Sequence, residues 1–597
     1  MLLELQQLEG LGGRIALDIE NDPTPNMRYA PGHLLGLGVW SPDNDLYGFY
    51  PTNSAEAERG LRRVIKTWQR GSYLIAHNAK YEMRWLRFKD WHLERFSIVD
   101  TMVAEHLLAE ELSKDLGSCE ARRLRRTTKK QLLRTIEGET GLKIARIASW
   151  PLQWVSEYCV NDCRITYELA EQYYPAMRRE GLQDLFMRSM RYLKALYRAE
   201  ERGMLVGEPE AEELERKMAQ LTAIGHDTLR EQLGLEDLPN LHSPQQLSKL
   251  LYQDLGLTRP ECPPELLGSP QAKPFLTKTG VAETMLEMLD HPAAKTIVQV
   301  KKIGKVASYL KSYRKLGQRV EEGWVVRSNF NQTGTITGRL SSSTPNLQQV
   351  SARPVAKALD PDGRGLLLRN VFRARNGHSI VGIDYKQMEV VGFGMMSGEP
   401  TMLRLIKQRE DMHNLVADLL FGERQDPTEN HPNRYYTKSI NFGLLYGLGD
   451  AALAKMLGLS LEETVRLKNR YLATFSMVRP WMAKISSELE HLGYIRYWSG
   501  RKRRIKDKSY FYKGVNAVVQ GGCADILMEA CIRVDEYLRA EGEGYLLAPV
   551  HDELVFELPT ERLEEMVPAL QEIMSVPDLL GVPFGTDAAI GRVWDQE

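Results

Sequence analysis

The segment HPNRYYTKSINFGLLYG, residues 431–447, constrains this chain more than any other. Pro432 suits the opening of a helix. Arg434, Lys438, Phe442 and Tyr446 then recur every fourth residue, which on a helix makes one slowly drifting row. The first half of the row offers two cations and the second half two aromatic rings. A triphosphate suits the cationic half while an attached base stacks over the aromatic half. An amphipathic helix with a cationic end is the plainer reading, but it leaves the carboxylates on either side of the row unexplained.

Those carboxylates lie in HSIVGIDYKQMEVVGFG (378–394) and YLLAPVHDELVFELP (545–559). The first reads as a buried strand that delivers Asp384 at its end and turns into a helix. The second reads as two short strands reversing at His551, Asp552 and Glu553. Adjacent carboxylates cost desolvation and mutual repulsion when buried, and a shared cation offsets that cost. Strand ends from separated segments can converge on metal ions while the strands supply rigidity.

A second acidic set lies near the N-terminus. In RIALDIEN the alternation puts Ile15, Leu17 and Ile19 on one strand face and Ala16, Asp18 and Glu20 on the other. AHNAKYEMRWL places Glu82 near a helix start, beside Asn78 and Lys80. EYCVNDCRITYEL places Tyr158 and Asp162 on one helix face. Paired oxygens of this kind suit hard divalent cations, and two such ions can clamp a phosphodiester.

Length and charge bound the rest. At 597 residues the chain exceeds a single core, and roughly three to five domains are expected. The net charge is −1, so an anionic polymer must be held by local basic patches. Candidates are RRLRRTTKK (122–130), residues 295–315 and GRKRRIKDK (500–508), each of which is equally readable as a solvated helix face. In the middle one, Lys295, Lys302 and Lys305 with Tyr309 and Tyr313 near helical spacing suit a phosphate backbone. The six cysteines form no CxxC pair, which fits a reducing compartment. The N-terminus lacks a signal-peptide pattern and no run approaches 18 apolar residues, so a soluble, non-exported chain is expected. Residues 14 to about 185 read as an α/β unit, 186–330 as mostly helical with a Pro-rich break at 257–274, and 331–597 as mixed.

The ordered series Asp18, Glu20, Glu82, Tyr158 and Asp162 resembles the DEDDy 3′→5′ exonucleases, the proofreading domains of DNA polymerases. DYKQMEVV, RYYTKSINFGLLYG and HDE, in that order, resemble motifs A, B and C of family A DNA polymerases, the bacterial DNA polymerase I class. TGTITGRLSSSTPNLQQV (333–350) is similar to the family's primer-template segment, NAVVQGGCADI (516–526) to its late template-side helix, and EERGMLV (200–206) to the entry of its polymerase module.

The resemblance implies an α/β multi-domain fold. An RNase H-like exonuclease domain (1–185) precedes a right-hand polymerase module. In that module, 186–330 forms the entry and thumb, 331–400 and 496–597 the palm with an antiparallel sheet, and 401–495 the helical fingers. It implies that Asp18, Glu20, Glu82 and Asp162 hold two Mg²⁺ ions and that Tyr158 positions water. Asp384 and Asp552 hold two more Mg²⁺ ions, with Mn²⁺ as a substitute, and Glu553 supports them. By the same resemblance Arg434, Lys438, His413, Gln387, Phe442 and Tyr446 bind the incoming deoxynucleoside triphosphate. Glu389 is the steric gate against ribose. Arg339, Asn516, Gln520 and His551 touch primer-template DNA. Phe442, where some relatives carry Tyr, implies weak acceptance of dideoxynucleotides.

The chain departs from the family pattern at Glu82 (usually Asp), Lys386 (commonly Ser), Val390 and Val391 (usually Leu-Arg) and near Tyr512, a position often basic. Further expectations by analogy are a monomer in a bacterial or phage-infected cytoplasm, replisome partners such as a helicase or single-strand binding protein, and no 5′-nuclease domain.

Overall fold

The structure is a computed structural model that describes residues 1–22, 34–86, 95–263, 272–408, 411–423, 425–426, 429–445, 447–576 and 581–594. Most of the Pro-rich break at 257–274 is described, but residues 264–271 within it lie outside these bounds. The chain packs as two units, one of Met1–Gly203, Ser328–Thr344 and Val381–Ala588, the other of Met204–Arg327, Pro345–Ile380 and Ala589–Glu597.

The first unit opens with a five-stranded sheet made of β1 (Arg14–Asn21), β2 (Leu34–Ser41), β3 (Leu46–Pro51), β4 (Tyr73–Ala76) and β5 (Ser97–Asp100). The order is β3-β2-β1-β4-β5, with the first three antiparallel and β1, β4 and β5 parallel. That is the RNase H-like arrangement, and β1 lies at its centre. Asp18 and Glu20 on β1 pair with Gly38 and Gly36 on β2. A Cβ at Gly38 would stand 2.7 Å from Cys159 Sγ, so glycine lets the Leu152–Glu180 helix lie directly on the strand. That helix carries Tyr158 and Asp162. The Tyr158 ring packs edge-on to Trp150, with ring centres 5.8 Å apart, in a core with Phe49, Ile136, Ile147 and Val155.

The same unit holds most of a second sheet. Its strands run in the order Tyr545–Val550, Glu553–Pro559, His378–Tyr385 and Thr586–Gly591. The Gly514–Glu541 helix packs against the Met388–Ser397 helix and this sheet. By length and hydropathy it could cross a membrane, but 83% of its apolar window is already buried in the protein, as befits a core helix.

The basic cluster at 500–508 is mostly consumed internally. Lys502 and Arg503 are buried. Lys502 pairs with Glu180, Arg503 Nη1 lies 2.7 Å from Glu111, and Arg504 Nη1 lies 2.8 Å from Glu110. These side chains join the N-terminal part of the unit to its C-terminal part and leave little charge for DNA. The 122–130 cluster is absorbed as well: Arg122 and Arg123 clasp the buried Glu105 at 2.8 and 2.7 Å.

The second unit has a sheet ordered Phe372–Arg373, Met204–Gly207, Gly323–Val326 and Gln318–Val320. Its long helices Glu208–Leu233 and Pro292–Leu316 pack on each other. Here the reading of residues 295–315 as a phosphate track is corrected in part. Tyr313 is fully buried against Phe372, with ring centres 5.3 Å apart, and Lys302 pairs with Glu283 at 2.9 Å. Lys295 and Lys305 stay exposed. Half-buried Tyr309 stacks on Tyr313 with ring centres 6.3 Å apart, and helical spacing alone did not reveal that Tyr313 is closed to a base.

Candidate active sites

The N-terminal acidic residues converge. Ligand atoms of Asp18, Glu20 and Cys159 lie within 4.8 Å of one another. Glu82 approaches from the Lys80–Leu86 helix, whose start is fixed by Asp100. The Asp100 carboxylate accepts from the Asn78 and Ala79 amides at 3.2 and 2.8 Å while capping its own helix through Met102 and Val103. Asn78 adopts a positive φ of 79° there, a conformation asparagine tolerates better than most residues.

Crowding acidic groups out of water disfavours their charged forms. Burial first, and then Asp162, raise Asp18 to about 7, against the pull of Lys129. Burial likewise lifts Glu20, Glu82 and Asp162 above the usual carboxylate range. Glu82 Oε2 and Asp162 Oδ1 are buried with no hydrogen-bond partner. Native proteins rarely leave such oxygens orphaned, and a cluster of hard oxygen donors in this state fits divalent cations.

The sequence reading missed Lys129, whose Nζ donates to Tyr158 Oη at 2.5 Å and to Asp162. No periodic pattern marks it; it lay in a run of basic residues readable as a solvated face. Glu200 was also missed as a site-supporting residue. It is 1% exposed and accepts from Lys80 Nζ at 2.5 Å, from Arg84 Nη2 at 2.8 Å and from the Phe330 amide at 2.7 Å. The cations on either side of Glu82 are therefore tied to the entry segment 200–206 and to the strand Asn329–Asn331.

In the second site Asp384 and Asp552 stand at neighbouring strand ends. The Tyr385 amide donates to the Asp552 carbonyl at 3.2 Å, and burial raises the Asp552 carboxyl. His551 makes the reversal with φ of 58° and is exposed, while Glu553 is buried. A cleft of about 380 Å³ opens here, lined by Asp384, Gln387, Asp411, Met412 and Asp587 among others. Asp384 lines this cleft and Asp552 stands at the adjoining strand end; carboxylate oxygens are the donors that Mg²⁺ takes.

The Arg434–Leu445 helix contributes Arg434 and Lys438. Arg434 Nη2 lies 2.6 Å from Asp411 Oδ2, and Lys438 is exposed. The Phe442 side chain and Tyr446 lie outside the described residues. Gln387 donates to Asp411 and accepts from the Met412 amide at 2.9 Å. It has φ of 51° at the start of the Met388–Ser397 helix. Burial lowers the buried His413 to about 4, so its ring is neutral near pH 7. The Asn441 amide nitrogen is 3.1 Å from His413 Nδ1. An amide nitrogen only donates, so Nδ1 accepts and the ring proton sits on Nε2.

Glu389 pairs with Arg339. Asn516 and Gln520 are half-buried, one turn apart on the Gly514–Glu541 helix. Lys386 pairs with Asp587 at 2.7 Å, and Val390 and Val391 are buried. The arginine usual in this stretch is thus replaced by core packing. Lys513 Nζ lies 4.3 Å from the Tyr510 ring centre and 5.7 Å from that of Tyr512.

The profile of DNA polymerase family A matches residues 208–596. The chain belongs to DNA polymerase family A. It is 28% identical over 629 residues to DNA polymerase I of Synechocystis sp., covering 97% of this chain and 59% of the relative. It is 32% identical over 435 residues to the thermostable DNA polymerase I of Thermus filiformis, covering 69% of this chain and 50% of the relative. The family A chain thus spans about half the length of the curated relatives it matches. Among solved structures it resembles the POL domain of Pol1 from M. smegmatis in complex with DNA primer-template and dNTP. The TM-score is 0.76 at 24% identity, over 98% of this chain and 96% of that one. That likeness in fold also takes in residues 1–207, which the profile leaves unmatched.

Proposed function

We propose that the chain is a template-directed DNA polymerase that extends a primer 3′ end with deoxynucleotides and proofreads by 3′→5′ exonucleolysis, in replication or repair. The observation that carries the reading is the backbone contact between Tyr385 and Asp552, which brings the strand end of Asp384, on the rim of a cleft, beside the reversal that carries Asp552. The five-part division into exonuclease, thumb, split palm and fingers, the monomeric state, the bacterial or phage-infected cytoplasm and any helicase or single-strand binding partner belong to the same proposal.

Asp384 and Asp552, with Glu553 behind them, would hold Mg²⁺ in one site. Asp18, Glu20, Glu82 and Asp162 would hold it in the other. Bound there, Mg²⁺ supplies a lowered pKa at the attacking oxygen and charge neutralisation at the phosphate. The residues themselves bind and orient. Arg434 and Lys438 take the triphosphate, which requires Arg434 to exchange Asp411 for a phosphate oxygen. His413, neutral, donates from Nε2. Glu389, drawn to Arg339, fills the space a ribose 2′-hydroxyl would need. Arg339, Asn516, Gln520 and His551 contact the primer terminus and the new base pair.

The test is one 5′-labelled, mispaired primer on a longer template with Mg²⁺. Extension with deoxynucleotides and shortening without them support both activities. Extension without shortening would confine the proposal to polymerisation and identify Glu82 as a disabling departure.

A further inference from the structure

Lys129 is the second residue of the Thr128–Thr140 helix, and the start of that helix is pinned. Glu120, fully buried, accepts from the Thr128 and Lys129 amides, both at 3.0 Å. The Lys129 side chain is only 18% exposed and runs into the acidic site. Its Nζ donates to Tyr158 Oη at 2.5 Å and to Asp162 Oδ2, and lies 4.3 Å from the Tyr158 ring centre. Asp162 is thereby divided: Oδ2 faces the ammonium, while Oδ1 is buried without a partner, as is Glu82 Oε2.

We propose that Lys129 is a built-in cation and positioning residue of the nuclease site, neutralising one end of the carboxylate set and holding the Tyr158 phenol in place. The inference rests on the proofreading reading above. Two consequences follow from charge and hydrogen bonding. A fixed positive charge against Asp162 weakens the attraction of the four carboxylates for divalent ions. An ammonium is donor-only, so Tyr158 Oη accepts from Lys129 and its own proton is left to donate elsewhere, toward the attacking water or the scissile phosphate. A lysine that merely stabilised its helix would have neither effect.

The test uses the full chain carrying Asp384→Asn and Asp552→Asn, so that Mn²⁺ titration followed by electron paramagnetic resonance reports the nuclease site. Lys129→Met is expected to tighten Mn²⁺ binding about fivefold or more through the lost repulsion. At saturating Mn²⁺ it is expected to slow primer shortening about tenfold or more through the released phenol. Lys129→Arg, which keeps the charge, should stay within about twofold of the parent in Mn²⁺ affinity. If the Met variant does not fold, Lys129→Gln carries the same expectation. Unchanged affinity and unchanged shortening in Lys129→Met would overturn the proposal. Failure of the proofreading reading looks different: the parent chain would not shorten a primer, and Asp18→Asn with Glu20→Gln would leave Mn²⁺ binding as it was.

Discussion

Lys80 and Glu200, separated by 120 residues, meet as a buried pair with Nζ and Oε1 2.5 Å apart. Arg84 closes on the other carboxylate oxygen at 2.8 Å. Glu82 lies between the two cations in sequence, so its helix is held from both sides. Removing one member of a buried ion cluster leaves the others uncompensated, typically at 3–5 kcal/mol. Glu200→Gln is therefore expected to lower the urea midpoint. It should also slow primer shortening more than primer extension, since Glu82 is displaced while Asp384 and Asp552 are positioned by a different sheet. Equal loss of both activities at a temperature where the variant is folded would refute the positional link.

Ribose discrimination is assigned to Glu389, which is drawn against Arg339. Glu389→Ala should raise kcat/KM for ribonucleotides relative to deoxynucleotides by about a hundredfold or more, because a filled space becomes room for the 2′-hydroxyl. The measurement is single-nucleotide incorporation with each sugar. An unchanged ratio would move the gate to another side chain.

His413 provides a pH prediction. Burial lowers its pKa to about 4 in the folded chain, against about 6.5 when unfolded. Below pH 6.5 the unfolded state then binds the proton more readily. The stability contribution is complete above that pH and is lost as pH falls toward 4, by at most about 3 kcal/mol. Urea midpoints from pH 7.5 to 4.5 should fall less steeply in His413→Asn than in the parent. Parallel slopes would show that His413 does not titrate in this way.

Gly521, in the core helix Gly514–Glu541, has a packing role. A Cβ there would meet the Tyr497 ring at 1.9 Å, closer than any real contact. Gly521→Ala should destabilise the chain by about 1–3 kcal/mol through overpacking, and Tyr497→Leu in the same chain should recover part of the loss. Thermal melts of the single and double variants measure both.

Much of this architecture can be read locally. β1 and the Leu152–Glu180 helix carry clean periodicities, and the strands around Asp384 and Asp552 are bounded by their own turn residues. Other features depend on what the chain packs against. Arg503 and Lys502 read as nucleic-acid cations until Glu110, Glu111 and Glu180 arrive from some 320 to 390 residues away. Tyr313 reads as a stacking platform until Phe372 covers it. Lys129 and Glu200 have no signature because their meaning lies in partners distant in sequence. A single lysine in a basic run carries no mark of the carboxylate it will face.

The most direct measurement compares Asp552→Asn and Asp18→Asn with the parent on a labelled primer-template, once mispaired and once correctly paired, with Mg²⁺ and deoxynucleotides. The two-site account predicts that Asp552→Asn shortens the primer but cannot extend it. Asp18→Asn should fail to shorten it, while extending a correctly paired primer at the parent rate. Extension at the parent rate by Asp552→Asn would contradict the account at its centre.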